Sequence, residues 1–245
     1  MIRTAVVGAR GRMGRQVCEA LRGADDLELG PQIDLGDDVS AVADADVAVV
    51  FSVPDVALDH VLACVRAGVH AVVGTTGWTP EKLDVVRAAL EERPDVGVLV
   101  APNFALGAVL LMRFAAMAAP HYASVEVIEL HHPDKVDAPS GTAQHTARLV
   151  AAARRDAGSA PIPDATATGL EGARGADVDG VRVHAVRLRG LVAHEEVLLG
   201  APGELLTLRH DSFDRASFMP GVLLGVRRIP SRPGLTVGLE HLIEL

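Results

Sequence analysis

Lysine is nearly absent from this 245-residue chain, although the chain has many positively charged residues. Lys82 and Lys135 are the only lysines among 23 basic residues, so arginine supplies almost every cation. Acidic residues outnumber basic ones and give a formal net charge of −9. A chain with this balance lacks the positive surface that nonspecific nucleic-acid binding needs. We therefore expect no nucleic-acid partner, and an anionic substrate must be bound by local positive charge.

Long apolar runs and cysteines are also scarce. No apolar segment approaches the ~20 residues that span a membrane, and no basic segment followed by an apolar one opens the chain. We therefore expect a soluble, cytoplasmic protein with no membrane partner. Cys18 and Cys64 are the only cysteines, and both lie in apolar patterns of helical period. This context favours buried free thiols over a disulfide.

Short apolar strands alternate with helices over the first hundred residues. The alternation predicts a parallel sheet with right-handed βαβ crossovers. The expected strands cover residues 2–7, 27–33, 46–51, 70–74 and 96–101, and the expected helices cover 15–22, 54–67 and 79–92.

The pattern changes after Asn103, where alternating strands and a long polar loop replace the βαβ rhythm. The fold class is therefore α/β, with a Rossmann-like parallel-sheet domain at 1–104 and 214–245. An α+β domain with a mostly antiparallel sheet is expected at 105–213. We expect the loop at 158–179 to be its most mobile segment. The expected helices cover 107–119, 140–155 and 215–229, and the expected strands cover 124–132, 181–189, 192–199, 204–210 and 236–239.

Three glycines stand three residues apart where the first strand meets its helix. Gly8, Gly11 and Gly14 have the context of a dinucleotide-binding loop, in which missing Cβ atoms let the backbone approach a pyrophosphate. The helix N-terminus adds N–H donors and a positive dipole end. The alternative is that these glycines serve only a tight turn.

Asp34 ends the second strand, where a carboxylate can accept hydrogen bonds from the adenosine ribose. A simple acid at a strand end is the other interpretation. Its carboxylate would repel a 2′-phosphate, and Leu35 rather than an arginine follows it. Because Arg10 and Arg12 could still reach such a phosphate, we expect NADH use with NADPH tolerated.

Two later loops also follow parallel strands, at the sheet edge where α/β folds bind ligands. Their small residues and amides suit a nicotinamide ribose and carboxamide, although ordinary structural turns are an equal alternative. These loops are Gly74-Thr75-Thr76-Gly77 and Ala101-Pro102-Asn103-Phe104.

Histidines and the second lysine cluster at the end of the strand predicted at 124–132. His131, His132 and Lys135 precede Gly141 and Thr142, whose amides at a helix N-terminus form a carboxylate or phosphate site. Lysine can release a proton in a protein whereas arginine cannot, so Lys135 suggests a need for a proton donor.

Two other interpretations of this segment are a metal site and a solvated polar loop. Adjacent histidines at a strand end point to opposite faces, and no cysteine lies nearby. We therefore expect no metal.

These motifs together resemble a known family. The run ELHHPDKVDAPSGTA at 129–143 resembles the signature of 4-hydroxy-tetrahydrodipicolinate reductase, also called dihydrodipicolinate reductase, of bacterial lysine biosynthesis. Many relatives place an aspartate before the Phe-Ser/Thr pair, whereas Val50 precedes Phe51 and Ser52 here. The resemblance covers essentially the whole chain and includes VGARGRMG at 7–14, GTTG at 74–77, APNF at 101–104, GARG at 172–175, HEEV at 194–197 and RHDS at 209–212.

The resemblance implies a homotetramer in which the first domain binds NADH or NADPH and the second binds substrate and forms the tetramer. The implied reaction reduces a small cyclic dicarboxylate, with loss of water. His131 would be the acid/base residue, Lys135 the proton donor and His132 a substrate contact, while Gly141 and Thr142 would hold a carboxylate. The implied cofactor residues are Gly8, Ala9, Arg10, Gly11, Arg12, Met13, Asp34, Gly74, Thr75, Thr76, Ala101, Pro102, Asn103 and Phe104.

Two rival functions differ in the side chains they require. A semialdehyde dehydrogenase needs a nucleophilic cysteine near the nicotinamide, and Cys18 and Cys64 are expected to be buried in helices. A redox sensor would bind the dinucleotide without turnover, but it would not need the segment from His131 to Thr142. We therefore expect an oxidoreductase.

Overall fold

The computed structural model describes residues 1–243; Glu244 and Leu245, which the sequence assigns to the first domain, lie outside the described residues. The chain divides into two compact units, unit 1 at 1–106 with 215–245 and unit 2 at 107–214. No helix within residues 1–243 is long and apolar enough to cross a membrane. In chain order the elements are β1 (Ile2–Val7), α1 (Arg12–Arg22), β2 (Leu27–Ile33), β3 (Val47–Val50), α2 (Pro54–Ala67), β4 (His70–Val73), α3 (Pro80–Glu91), β5 (Gly97–Val100), α4 (Leu106–Ala118), β6 (Ser124–His131), α5 (Gly141–Asp156), β7 (Ala176–Val178), β8 (Val181–Arg187), β9 (Ala193–Ala201), β10 (Glu204–Ser212), α6 (Met219–Arg228) and β11 (Gly234–Val237).

Unit 1 is built on a six-stranded parallel sheet with the order β11-β5-β4-β3-β1-β2. All of β3, β5 and the second half of β1 are buried, as expected for strands covered on both faces. Helix α2 begins at Pro54 and ends before Gly68, which adopts a φ of 77°. The Thr79 side chain caps α3 by accepting a hydrogen bond from the Lys82 amide. The predicted parallel sheet and the helices predicted at 54–67 and 79–92 are confirmed.

Unit 2 contains a five-stranded sheet with the order β10-β9-β6-β8-β7. Its pairs are antiparallel except for β6 with β8, which confirms a mostly antiparallel sheet. Val125 and Val127 of β6 face a core that also includes Ala147 and Val150 of α5. Helix α5 begins after Ser140, close to the predicted start at 140, and the Ser140 hydroxyl accepts a hydrogen bond from the Ala143 amide. Helix α5 therefore packs against the apolar face of this sheet.

Several boundaries differ from the sequence expectation. Helix α1 begins at Arg12 rather than Arg15, because the glycine loop turns directly into the helix. A 3₁₀ turn at Arg215–Phe218 precedes α6, and the last strand is Gly234–Val237 rather than 236–239. The expected loop at 158–179 contains β7, since three of its residues pair with β8 across the sheet.

Candidate active site

The glycine loop of unit 1 has no room for side chains at two of its glycines. Gly8 has a φ of +87°, and a Cβ there would lie 2.6 Å from the carbonyl oxygen of Phe51. A Cβ on Gly14 would overlap the carbonyl oxygen of Gly8. Gly11 is the N-cap of α1, and no side chain caps this helix start. The loop therefore offers close backbone approach and helix-start amides, which is the chemistry of a phosphate site.

Asp34 ties the glycine loop to the end of β2. Its Oδ2 accepts a hydrogen bond from the Arg10 amide at 2.6 Å, and its Oδ1 accepts one from the Leu35 amide at 2.8 Å. The Leu35 and Arg10 amides hold the pKa of Asp34 below its usual value, so this side chain is a carboxylate. Asp37 lies beside it and contacts the Arg10 guanidinium at 3.3 Å. The positive charge of Arg10 is therefore paired with a carboxylate of the segment that follows β2.

A cavity of about 430 Å³ lies at this end of the sheet. The glycine loop, the segment 33–37 and the segment 51–56 line it, together with His60. Two lining residues hold buried polar atoms without a hydrogen-bond partner, Ser52 Oγ and His60 Nδ1. Buried polar atoms are nearly always satisfied, so these two fit a bound ligand that carries complementary groups. Burial lowers the pKa of His60, so its imidazole is neutral.

The two later loops reach the same edge of the sheet. The Thr75 hydroxyl donates to the Ser52 carbonyl at 2.9 Å, which joins the ends of β3 and β4. A Cβ on Gly74 would overlap the ring of Phe51, and this ring lies 5.9 Å from the ring of Phe104. All the sequence-predicted cofactor residues thus lie in unit 1. Ala9 and Ala101 are buried, Met13 and Asn103 are half-buried, and Arg10, Arg12, Thr76 and Pro102 are exposed.

A buried glutamate organises the predicted catalytic segment of unit 2. Glu129 has no exposed surface and lies on the core side of β6. Its carboxylate accepts two hydrogen bonds from Arg187, both at 2.7 Å, and one from the Ser140 amide at 3.0 Å. A further contact joins it to His131 Nδ1 at 2.5 Å. One carboxylate therefore fixes the ends of β6 and β8 and the start of α5.

The charges around Glu129 decide which groups carry protons. Burial raises the pKa of Glu129, but the hydrogen bonds from Arg187 and His131 outweigh it and hold the pKa below its usual range. Since Glu129 is ionised, His131 carries a proton on Nδ1. Burial lowers the pKa of His131, and the cations of Lys135 and Arg187 add to this against the opposing effect of Glu129. The imidazole is therefore neutral near pH 7, with Nε2 as its basic nitrogen.

Lys135 is paired with a neighbour of its own segment. Its Nζ lies 2.6 Å from Oδ1 of Asp137, and the Gly141 amide donates to the same carboxylate. The Lys135 hydrogen bond is the main reason that the pKa of Asp137 is lowered. The Asp137 carboxylate therefore already accepts hydrogen bonds from Lys135 and from the Gly141 amide at the start of α5. His132 is exposed, and Thr142 lies in the first turn of α5.

Several residues of these sites are absent from the sequence predictions. The sequence does indicate Glu129, because on a strand of alternating pattern it falls on the same face as the apolar Val125 and Val127. No local pattern indicates Arg187, since it lies 58 residues from Glu129 along the chain. Asp37 and His60 likewise have no pattern that separates them from ordinary surface residues, whereas Ser52 belongs to the Phe51-Ser52 pair of the family pattern.

Both cysteines are buried, and so is Val50, which stands where many relatives have an aspartate. Cys18 and Cys64 are free, as predicted, and burial raises the pKa of the Cys64 thiol to about 12. A thiol in that state is a poor nucleophile. Val50 belongs to the core of unit 1 at the end of β3. Across residues 1–243, no three His, Cys, Asp or Glu side chains converge in a way that could hold a metal ion.

The glycine loop on a Rossmann-like sheet, with Asp34 at the end of β2, is typical of dinucleotide-binding oxidoreductases. The segment of unit 2 with Glu129, His131 and Lys135 adds groups that can transfer protons. The chain is therefore an oxidoreductase of the dinucleotide-binding class. The fold is shared with a probable dehydrogenase from Thermotoga maritima, at a TM-score of 0.66 and 13% identity over 98% of this chain and 92% of that chain.

Closer relatives specify the family. Models described as "Dihydrodipicolinate reductase, N-terminus" and "Dihydrodipicolinate reductase, C-terminus" match residues 2–104 and 107–243. The 4-hydroxy-tetrahydrodipicolinate reductases of Beutenbergia cavernae and Streptomyces coelicolor are 64% and 60% identical, over 100% of this chain and 99% and 98% of theirs. A dipicolinate-bound dihydrodipicolinate reductase from Paenisporosarcina sp. TG-14 is 37% identical, with a TM-score of 0.87 over 99% of this chain and 100% of that chain. The chain belongs to the dihydrodipicolinate reductase family.

Proposed function

We propose that this protein reduces 4-hydroxy-tetrahydrodipicolinate to tetrahydrodipicolinate with loss of water, using NADH or NADPH, in the diaminopimelate route to lysine. The observation that carries the proposal is the site around Glu129, which combines a fixed imidazole with an anion-binding helix start. His131, Lys135 and Gly141 meet there within one short segment. The full-length relationship to reductases of that name supports the same reaction.

Unit 1 would hold the cofactor. The glycine loop and the uncapped start of α1 suit its pyrophosphate, and Asp34 suits the hydroxyls of its adenosine ribose. Ser52 Oγ and His60 Nδ1 fit as further partners, because each is buried and unsatisfied without a ligand. When bound, NAD(P)H supplies the hydride. Residues 74–76 and 101–104 would line the nicotinamide end of the cofactor.

NADH is the expected cofactor, with NADPH tolerated. Asp34 is ionised, and Asp37 adds a second carboxylate that pairs with the nearby Arg10. A 2′-phosphate would meet this negative charge, while Arg12 of the loop could offset part of it. Steady-state kinetics test the preference, and a preference for NADPH of about tenfold or more would contradict it.

The dicarboxylate substrate would bind to unit 2. The amides of Gly141 and Thr142 at the start of α5 would hold one carboxylate, and His132 would contact the substrate from its exposed position. Asp137 already places a carboxylate on Gly141 and Lys135, so the substrate must displace it or share these donors.

Lys135 or His131 would supply the proton that completes the reaction. After water leaves, the ring accepts hydride at C4, and negative charge builds on the conjugated nitrogen system. His131 is neutral near pH 7, so Lys135 is the better first donor, while His131 Nε2 can pass a proton on. Glu129 keeps the imidazole in one orientation by binding Nδ1. General-acid help of this kind is worth ~10²–10⁴-fold in rate.

Assembly and location follow the family resemblance. Residues 105–213 would form the substrate-binding and tetramerisation domain, residues 1–104 and 214–245 would bind the dinucleotide, and the protein would act in the cytoplasm. Light scattering on the purified chain should give about four times its mass of 25.6 kDa. A monomer at assay concentration would contradict the tetramer.

An absorbance assay at 340 nm tests the function. The substrate is generated in the cuvette from pyruvate and aspartate semialdehyde by the aldol enzyme that makes it. We expect NADH loss that requires both precursors and this protein. Tight NADH binding without turnover would instead indicate a redox sensor.

A further inference from the structure

A second buried acid, Glu195, lies beside Glu129 and takes part in none of the steps above. Glu195 of β9 is directly opposite Glu129 of β6 in the antiparallel ladder. Side chains at opposite positions share one face of the sheet, with Cβ atoms about 4.5–5.5 Å apart. Glu195 is 5% exposed and Glu129 is 0% exposed. Two carboxyl groups so close and so buried disfavour a state in which both are charged.

Glu129 has positively charged and imidazole partners, whereas Glu195 has a hydroxyl as its hydrogen-bond partner. Glu129 receives the guanidinium of Arg187 and the ring of His131, which favour its charged form. Glu195 meets the hydroxyl of Thr146 on α5, with Oε1 and Oγ1 at 2.5 Å. The negative charge therefore resides on Glu129.

The hydrogens on Thr146 can be counted. Its hydroxyl has one hydrogen, and its oxygen also lies 3.1 Å from the carbonyl oxygen of Thr142, which can only accept. If Thr146 donates to Thr142, its contact with Glu195 requires a hydrogen on the Glu195 carboxyl. A protonated Glu195 satisfies both contacts and avoids repulsion with Glu129. Burial raises the pKa of Glu195 to about 7, and the charge of Glu129 contributes to the rise.

We propose that Glu195 is a positioning residue, which in its neutral form leaves Glu129 as the charged partner of His131 and which disturbs this pair when it ionises. The proposal rests on the proposed function, because it gives the acid a role through His131. An ionised Glu195 would repel Glu129 and compete for its donors, so activity should fall as the pH rises through neutrality. Among residues 1–243, the titratable and charged groups on the elements packed against Glu195 are Glu129 and His131 of β6, His210 of β10 and His145 of α5. Arg187 of β8 and Lys135 act on the Glu129–His131 pair.

Glu195→Gln mimics the neutral acid and cannot ionise. Glu196→Gln is the matched control, because Glu196 is the next residue of β9, points to the other face and pairs with Arg209 at 2.7 Å. Between pH 6 and pH 8.5 we expect kcat/KM of Glu195→Gln relative to wild type to rise at least about threefold. The Glu196→Gln profile should follow wild type. Parallel profiles for all three proteins would overturn the proposal.

Nuclear magnetic resonance of ¹⁵N-histidine in the ligand-free protein separates this proposal from the reductase function, since it needs no turnover. The ring of His131 in wild type should show a second inflection near neutral pH, caused by ionisation of Glu195. Glu195→Gln should lack this inflection and Glu196→Gln should retain it. Its absence from wild type would overturn the proposal even if Glu195→Gln fails to fold. Loss of reductase activity in every protein would instead contradict the proposed function.

Discussion

Replacing Glu129 with glutamine should damage stability and catalysis together. The change removes a buried charge but leaves Arg187 in place, with its side chain 21% exposed. Removing one partner of a buried ion pair costs about 3–5 kcal/mol, and partial exposure of Arg187 lets water recover some of this. We therefore expect a loss of about 2–4 kcal/mol in the free energy of unfolding. The imidazole of His131 also loses its fixed partner, so kcat should fall by at least about tenfold.

Urea denaturation at neutral and acidic pH measures the stability effect. The pKa of Glu129 is lowered in the folded protein, so its stabilising contribution is present above the ordinary pKa of glutamate and is lost as the pH falls through the folded value. The difference between wild type and Glu129→Gln should therefore shrink on acidification. Glu126→Gln is the control, since Glu126 also binds an arginine and a histidine but its side chain is 29% exposed. Equal losses in both variants would refute the special role of Glu129.

Substitutions at three further residues, Lys135, Gly14 and Asp137, test other parts of the mechanism and the cofactor site. Lys135→Ala should lower kcat by at least ~10²-fold, and Lys135→Arg should not restore it, because arginine keeps the charge but cannot give the proton; rates within about threefold of wild type would remove Lys135 from the mechanism. Gly14→Ala should abolish NADH binding measured by calorimetry, because its Cβ would overlap the Gly8 carbonyl, whereas Gly169→Ala has open space and should bind normally. Asp137→Ala should lower KM for the dicarboxylate in steady-state kinetics, because it removes the carboxylate that competes for Lys135; an increased KM would show that Asp137 assists binding.

The parts of the fold that follow local patterns were predictable from the sequence. The parallel sheet of unit 1 follows from continuous apolar strands, and the starts of α2, α3 and α5 follow from Pro54, Thr79 and Ser140. The strand β7 was not predictable, because three residues gain strand geometry from pairing with β8 rather than from their own pattern.

The candidate site was likewise predictable only where its residues are neighbours in the sequence. The glycine loop and the segment from His131 to Thr142 are contiguous, so their chemistry can be read from neighbouring residues. The partners that decide protonation come from distant strands: Arg187 reaches Glu129 from β8, and Glu195 reaches Thr146 from 49 residues away. Side-chain pairing of this kind depends on the register of the sheet, which no local pattern determines.

Transfer of deuterium from labelled cofactor tests the reductase assignment most directly. NADH carrying two deuterium atoms at nicotinamide C4 is mixed with the protein and freshly generated substrate, and the product is analysed by mass spectrometry and nuclear magnetic resonance. We predict one deuterium at ring carbon 4 of tetrahydrodipicolinate, formed in step with NADH loss. Cofactor binding without any deuterium in the product would contradict the account.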